Sequence, residues 1–75
     1  MPKLPVVTGR EAVAALLREG FIFRGQRGSH HMLTDAAKER TIAISVHGNK
    51  PLPVGTLRDL IRDAGLTVEE FIALL

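Results

Sequence analysis

The sequence contains no cysteine, no tryptophan and no tyrosine, and its only aromatic residues are three phenylalanines. Without cysteine the chain has no disulfides and no thiolate ligands for a metal ion, and the redox compartment is left undetermined. No apolar run approaches the roughly 20 residues that span a membrane. Met1–Val7 has neither the length nor the apolar core of a signal peptide. We therefore expect a water-soluble, cytoplasmic protein.

A strong net charge is also missing, because ten Lys and Arg residues oppose eight Asp and Glu residues and leave a net charge of +2. The charges are unevenly distributed, however. Between Arg18 and Lys50 there are six basic residues and all three histidines but only three acids, whereas the part from Leu57 onward is slightly acidic. A basic middle suits a partner with a phosphate backbone. A bias of this size is also typical of an ordinary solvated surface.

A chain of 75 residues has room for one domain with one modest core. We predict an extended leader over residues 1–7 and a single domain over residues 8–75. Thr8 and Glu11 have the spacing of a helix capping box, and Gly20 is placed to end that first helix. The apolar face of this helix is predicted to comprise Ala12, Val13, Leu16 and Leu17. The predicted strands are Phe21–Arg24, His30–Thr34 and Thr41–Val46, connected by a polar turn over Gly25–Gly28 and a hairpin loop over Asp35–Arg40.

Two further helices are predicted after the strands. Apolar residues recur at helical spacing from Leu57 to Ala64, with Thr56 as the N-cap and Gly65 as the stop. Thr67 and Glu70 repeat the capping-box spacing and open a last helix. The side chains of this helix that we expect to face inward are Val68, Phe71, Ile72 and Leu75. The pattern predicts an α+β fold in which helices cover one face of a three-stranded antiparallel sheet and leave the other face open to solvent.

An adjacent histidine pair, His30 and His31, stands at the start of the second predicted strand, directly after Gly28-Ser29. Neighbouring residues on a strand point to opposite faces. Leu33 is the clearest apolar anchor of this strand and should face the helices, which puts His31 on the core side with it. The residues predicted to share the open face are His30, Met32, Thr41, Ala43 and Ser45. A slip of one residue would exchange the two histidines.

The residues around His30 suit chemistry on a phosphodiester. An imidazole transfers protons readily near neutral pH, and the guanidinium groups of Arg24 and Arg27 match two phosphate oxygens. His47, at the end of the third strand, is placed either to join this site or to form hydrogen bonds within its loop. His30 is equally compatible with a polar surface role, and His31 with half-buried packing. A zinc site is disfavoured because His30 and His31 point apart and zinc needs three or four converging ligands.

Several stretches of the chain together resemble the HicA family of toxins. They are the glycine-aromatic entry to the first strand, Gly28-Ser29-His30, His47-Gly48 after the third strand, Gly55-Thr56-Leu57 at the next helix, and Ala64-Gly65-Leu66 before Glu70-Phe71. The resemblance runs from about Thr8 to Leu75, and the order and spacing of these stretches make it specific. Two positions depart from the usual family pattern, since Val46 stands in place of a proline and Leu33 in place of an aromatic residue.

The resemblance implies a double-stranded-RNA-binding-domain-like fold. It also implies a toxin of a type II toxin–antitoxin system, namely an mRNA interferase that needs no metal or cofactor and is neutralised by a HicB-type antitoxin. The family's catalytic histidine follows Gly-Ser, which places that role on His30. We expect the antitoxin to occlude the open face and the Gly25–Gly28 turn. The residues expected to bind RNA are Arg24, Arg27, Ser29, His47 and Lys50.

Two other functions are left open by the residues. In a non-catalytic RNA-binding module of the same fold, the basic residues would matter and His30 would not. In a protein-interaction domain, the open face would bind a partner, and the apolar side chains of Met32 and Ala43 on that face favour this possibility. Expression of the native chain beside a variant that lacks the His30 imidazole separates these functions.

Overall fold

A computed structural model describes residues 3–75 of the chain. The helices are α1 (Gly9–Glu19), α2 (Val54–Asp63) and α3 (Val68–Ala73), and the strands are β1 (Ile22–Arg27), β2 (His30–Thr34) and β3 (Thr41–Ser45). The strands form one antiparallel sheet in the order β1-β2-β3, and the helices share a core with one of its faces. This confirms the predicted α+β, double-stranded-RNA-binding-domain-like fold. Within the described part of the chain, no helix has the length and apolar character needed to span a bilayer.

The helix ends follow the predicted capping signals at α1. The Thr8 hydroxyl accepts a hydrogen bond from the Glu11 backbone N–H at 3.1 Å, and the Thr8 N–H donates to the Glu11 carboxylate at 2.9 Å. The pKa of the Glu11 carboxylate is lowered. The largest cause is the hydrogen bond from the Thr8 backbone, and the next is the hydrogen bond with the Thr8 side chain. Gly20 ends the helix with a φ of 116°, in the left-handed region that glycine adopts without steric cost. Thr67 and Glu70 form the same reciprocal pair at α3.

β1 extends further than predicted, to Arg27, so the prediction of a polar turn over Gly25–Gly28 was wrong. The turn contains only Gly28-Ser29. The strand register shifts between Phe23 and Gly25, and the φ of Gly25 is 143°. A glycine at such a bulge lets the strand continue with a local bend instead of ending it. The φ of 58° at Gly28 provides the positive value that a two-residue hairpin turn requires.

Other boundaries differ from prediction by smaller amounts. β3 ends at Ser45, one residue before the predicted end. α2 begins at Val54 and its N-cap is Pro53, which forms no side-chain cap, so Thr56 was wrongly predicted as the N-cap. Proline is tolerated at this point because the first N–H groups of a helix have no intrahelical partner. Gly65, with a φ of 75°, follows the C-cap of α2 and confirms the predicted stop.

Two leucines predicted to face inward are largely exposed. Leu17 is 45% exposed because α1 packs through Ala12, Ala15 and Leu16, all of which are fully buried. Because Ala15 has a small side chain, the face of α1 that carries Ala12, Ala15 and Leu16 can pack closely against the sheet. Leu75 is 48% exposed, since α3 ends at Ala73 and helical spacing no longer sets the direction of side chains beyond it.

The core lies between the sheet and the helices and includes one residue of the predicted leader. The largest fully buried side chains are Phe71, Leu16, Leu33, Ile44, Leu57 and Val7. Val7 is 1% exposed, and its carbonyl accepts a 2.7 Å hydrogen bond from the Leu52 N–H. The last residue of the leader is therefore part of the folded domain. The first two residues of the predicted leader lie outside the described residues.

Gly9, the first residue of α1, packs directly against the backbone at the end of β3. A Cβ atom at position 9 would overlap the carbonyl oxygen of Ser45 and would lie 3.1 Å from the Cα of Val46. Backbone atoms cannot rotate away from such an overlap. We predict that Gly9→Ala lowers the free energy of unfolding by about 1–3 kcal/mol. Urea denaturation checks this against Gly55→Ala in α2, where a Cβ meets open space. Equal stability of the two variants would contradict the packing argument.

Candidate active site

The residues of β2 alternate between the two faces of the sheet. Leu33 is fully buried beneath the helices, and His31 shares its face and is half-buried. His30 is exposed on the opposite face. The register pairs His31 with Ile44, which is also buried, and pairs His30 with Ser45. The burial of β2 and its register with β3 therefore confirm the predicted direction of the two histidines, and β2 is not shifted by one residue.

His30 lies at the end of the sheet where β1 ends, β2 begins and β3 ends. Its cross-strand neighbours are Arg27 on β1 and Ser45 on β3. His30 and Arg27, with Met32 and Ala43, line a cavity of about 410 Å³ on the open face. An accessible imidazole and an accessible guanidinium therefore stand side by side, an arrangement suited to a phosphate group.

The loop after β3 brings two further predicted residues to the same end of the sheet. The Val46 N–H donates a 2.8 Å hydrogen bond to the Ser29 carbonyl, which ties this loop to the β1–β2 turn. His47 and Lys50 line a second cavity of about 300 Å³ that also includes Ser45, the cross-strand neighbour of His30. The predicted site residues that the fold brings to this end are Arg27, Ser29, His30, His47 and Lys50.

Arg24 is the predicted site residue that does not lie near His30. Its guanidinium donates a 2.8 Å hydrogen bond to the Thr34 hydroxyl. Thr34 is four residues along β2 from His30, or about 13 Å at the usual rise of a strand. The expectation that Arg24 flanks His30 was therefore wrong, because β1 continues past Arg24 to Arg27 and the hairpin register pairs Arg27 with His30. Arg24 occupies the far end of the open face.

His31 takes part in a second cleft, on the helix side of the sheet. Its ring meets the ring of Phe23 edge-on, with centroids 5.7 Å apart. It also lines a cleft of about 330 Å³ together with Arg10 and Val13 of α1 and Gln26 of β1. Neither Arg10 nor Gln26 was predicted from the sequence as a site residue. Gln26 is the cross-strand neighbour of His31, a pairing that becomes visible only when β1 is extended past Gly25.

The basic groups at the His30 end form no ion pair with an acidic side chain in the described part of the chain. Among residues 3–75 the one ion pair joins Arg62 and Asp59 within α2, at 3.1 Å. The positive charges of Arg27 and Lys50 are therefore available to an anionic ligand. In the same described range, no three His, Asp or Glu side chains lie close enough together to hold a metal ion.

A comparison with known families agrees with these features. No curated protein matches the chain. The family model described as HicA toxin of bacterial toxin-antitoxin matches residues 9–66, from the start of α1 to the residues just after α2. The match covers about three quarters of the chain and includes every predicted site residue. This chain therefore belongs to the HicA family, the toxins of bacterial toxin–antitoxin systems.

Proposed function

We propose that this toxin is an endoribonuclease that cleaves mRNA without a metal ion, with His30 as the general acid–base catalyst, and that a HicB-type antitoxin inhibits it. The observation that carries the proposal is the open-face cavity in which the His30 imidazole lies directly across from Arg27. A proton carrier beside a fixed positive charge is what cleavage of an RNA phosphodiester requires. Because mRNA is cytoplasmic, we expect the protein to act there.

The chemistry uses a nucleophile that RNA itself provides. The 2′-oxygen attacks the adjacent phosphorus and forms a new P–O bond, while the bond to the 5′-oxygen breaks. His30 accepts the 2′-hydroxyl proton, a step that contributes about 10²–10⁴-fold to the rate. The departing 5′-oxygen takes a proton from water or from His47, which lines the adjoining cavity next to Ser45. The products are a 2′,3′-cyclic phosphate and a 5′-hydroxyl.

Positive charge is required where negative charge accumulates on the phosphate oxygens. Arg27 is the nearest fixed charge to His30 and the first candidate for this role. Lys50 reaches the same end of the sheet through the loop after β3. Arg24, at the far end of the face, is placed to contact a phosphate further along the strand. Between the two arginines, the row formed by Gly25, Met32 and Ala43 offers a flat strip for a base or ribose.

Inhibition by an antitoxin follows from the openness of this site. His30 is exposed on a sheet face that no helix covers, so a bound protein can block RNA simply by lying over it. We propose that the antitoxin occludes the open face and the adjoining hairpin turn, with acidic or carbonyl groups placed near Arg24, Arg27 and Lys50. Such charge pairing mainly raises the association rate and makes it sensitive to salt.

Arg27→Glu reverses the charge beside His30 and is expected to weaken binding of both RNA and antitoxin, because both use the same surface. We predict a loss of about tenfold or more in each affinity, equivalent to about 1.4 kcal/mol. Fluorescence anisotropy with 2′-O-methyl RNA and calorimetry with a HicB-type antitoxin measure the two. Arg58→Glu, an exposed position on α2, is the matched control. Unchanged antitoxin affinity beside weakened RNA binding would contradict occlusion of this face.

A non-catalytic RNA-binding module is the second candidate, and the presence of a single imidazole in the open-face cavity favours it. The two functions differ in what happens to RNA. If the native protein and His30→Ala both bind RNA and both leave it intact, the module is correct. If neither protein binds or cleaves RNA, the open face is instead a protein-docking surface.

A further inference from the structure

The helix-side cleft contains three polar groups whose hydrogen-bonding capacity is not fully used by other described residues. The guanidinium of Arg10 and the imidazole of His31 form no hydrogen bond or ion pair among residues 3–75. The Gln26 amide nitrogen donates to the Gly28 carbonyl at 2.9 Å, which fixes the side chain and leaves its amide oxygen free to accept. The cleft thus offers donors and an acceptor that face one space of about 330 Å³.

Part of the wall of this cleft is apolar. Val13 of α1 and Val46, which follows β3, line it beside the polar groups. Gly48 also lines it and contributes no side chain that would fill the space. Small-molecule pockets combine apolar contacts with a few placed polar groups, and a nucleic-acid base offers both a flat apolar ring and a polar edge. Bases of single-stranded RNA are bound in this way, with the ring packed on side chains and its edge hydrogen-bonded.

The position of Arg10 is not explained by the stability of the helix. It is the second residue of α1, next to the positive end of the helix dipole, where a cation is unfavourable. It is also exposed and forms no ion pair with an acidic side chain among residues 3–75. Because this position is unfavourable for a cation, we expect the Arg10 guanidinium to bind a ligand that offers hydrogen-bond acceptors.

The cleft lies directly across the sheet from the His30 cavity. Arg27 and Gln26 are neighbours on β1 and point to opposite faces, as do His30 and His31 on β2. At the end of β1 and the start of β2, the two-residue turn at Gly28-Ser29 separates the two sides of the sheet. A single strand of RNA that enters the His30 cavity can therefore pass over the turn, and its next part arrives at the cleft.

We propose that the cleft formed by Arg10, Gln26 and His31 binds one unstacked base of the RNA, adjacent to the phosphate that is cleaved at His30, and so sets the sequence preference of cleavage. This inference rests on the proposed ribonuclease function for its role in cleavage. Base binding itself does not depend on catalysis. The cleft is a specificity site, and its residues are not catalytic.

The test compares Arg10→Ala and Gln26→Ala with the native protein and with Arg58→Ala, a matched exposed arginine on α2. Binding is measured by fluorescence anisotropy with a 2′-O-methyl RNA of random sequence, which cannot be cleaved through the 2′-oxygen. We expect both cleft variants to bind it about tenfold more weakly, with Arg58→Ala unchanged. The melting temperature of Arg10→Ala should equal or exceed that of the native protein, because the variant removes a cation from the start of a helix.

Cleavage of a random-sequence RNA pool, with sequencing of the ends, provides the second measurement. We expect the native protein to prefer a particular base at one position beside the cut and the cleft variants to lose that preference, with a raised KM and an unchanged kcat. Native affinity and native preference in both variants would overturn the base site while leaving the nuclease function intact. Weaker antitoxin binding with unchanged RNA binding would also overturn it and assign the cleft to a protein partner. If the native protein fails to cleave at all, the proposed function is wrong, and the anisotropy result still decides whether the cleft binds RNA.

Discussion

Replacing His30 with alanine is expected to abolish RNA cleavage and growth arrest while leaving the melting temperature nearly unchanged. Loss of the proton carrier should lower kcat by about 10²–10⁴-fold. The side chain is exposed and forms no hydrogen bond among residues 3–75, so its removal should change stability by no more than about 0.5 kcal/mol. Cleavage of an end-labelled RNA, growth after induced expression, and thermal unfolding followed by circular dichroism measure the three quantities.

His31→Ala is the matched control for this experiment, because it removes the same group from the next position. Its ring is half-buried and meets Phe23 edge-on, so we expect measurable destabilisation with part of the activity retained. An exchange of the two phenotypes would mean that the helix-side cleft is the active site and that the open face serves another purpose.

Phe71→Ala is expected to lower the free energy of unfolding by about 3–5 kcal/mol. Phe71 is fully buried and is the largest such side chain in the core. Because a domain of this kind has a total stability of about 5–15 kcal/mol, the loss removes a large share of it and should lower the urea midpoint clearly. The effect is informative because Phe71 lies in α3, beyond the last residue of the family match.

Urea denaturation of Phe71→Ala beside Glu69→Ala measures this contribution. Glu69 is an exposed residue of the same helix, and its replacement should change stability by no more than about 0.5 kcal/mol. RNA cleavage should fall in parallel with the folded fraction, unlike the selective loss expected for His30→Ala. A urea midpoint for Phe71→Ala equal to that of the control would show that α3 is dispensable for the fold.

Local patterns predicted the parts of the fold that local forces determine. The capping boxes at Thr8 and Thr67 depend on residues three positions apart, and both formed as expected. β2 was predicted with its correct bounds. Leu33 also indicated correctly which face of this strand is buried. The end of β1 was wrong for a different reason. A glycine such as Gly25 is compatible with a turn or a bulge, and the pairing with β2, which lies further along the chain, decides between them.

The same distinction between local patterns and tertiary contacts applies to the residues of the candidate site. His30 and the side of the sheet that it occupies follow from strand alternation within five residues of sequence. Arg24 was misplaced because β1 was predicted to end there, whereas the strand continues for three more residues and Arg27 pairs with His30. Arg10 and Gln26 were missed because α1 and β1 meet beside His31 only through the packing of the whole domain. Residues brought together by tertiary contacts leave no periodic signal in the sequence.

Chemical analysis of the RNA ends tests most directly whether this toxin cleaves RNA through the 2′-hydroxyl. The purified protein is incubated with a defined RNA and with the same RNA carrying a single 2′-deoxy nucleotide at the cleavage site. The expected products are a 2′,3′-cyclic phosphate and a 5′-hydroxyl, with no cleavage at the 2′-deoxy position. Fragments with a 5′-phosphate, or cleavage at the 2′-deoxy position, would contradict this mechanism, because water would then be the nucleophile.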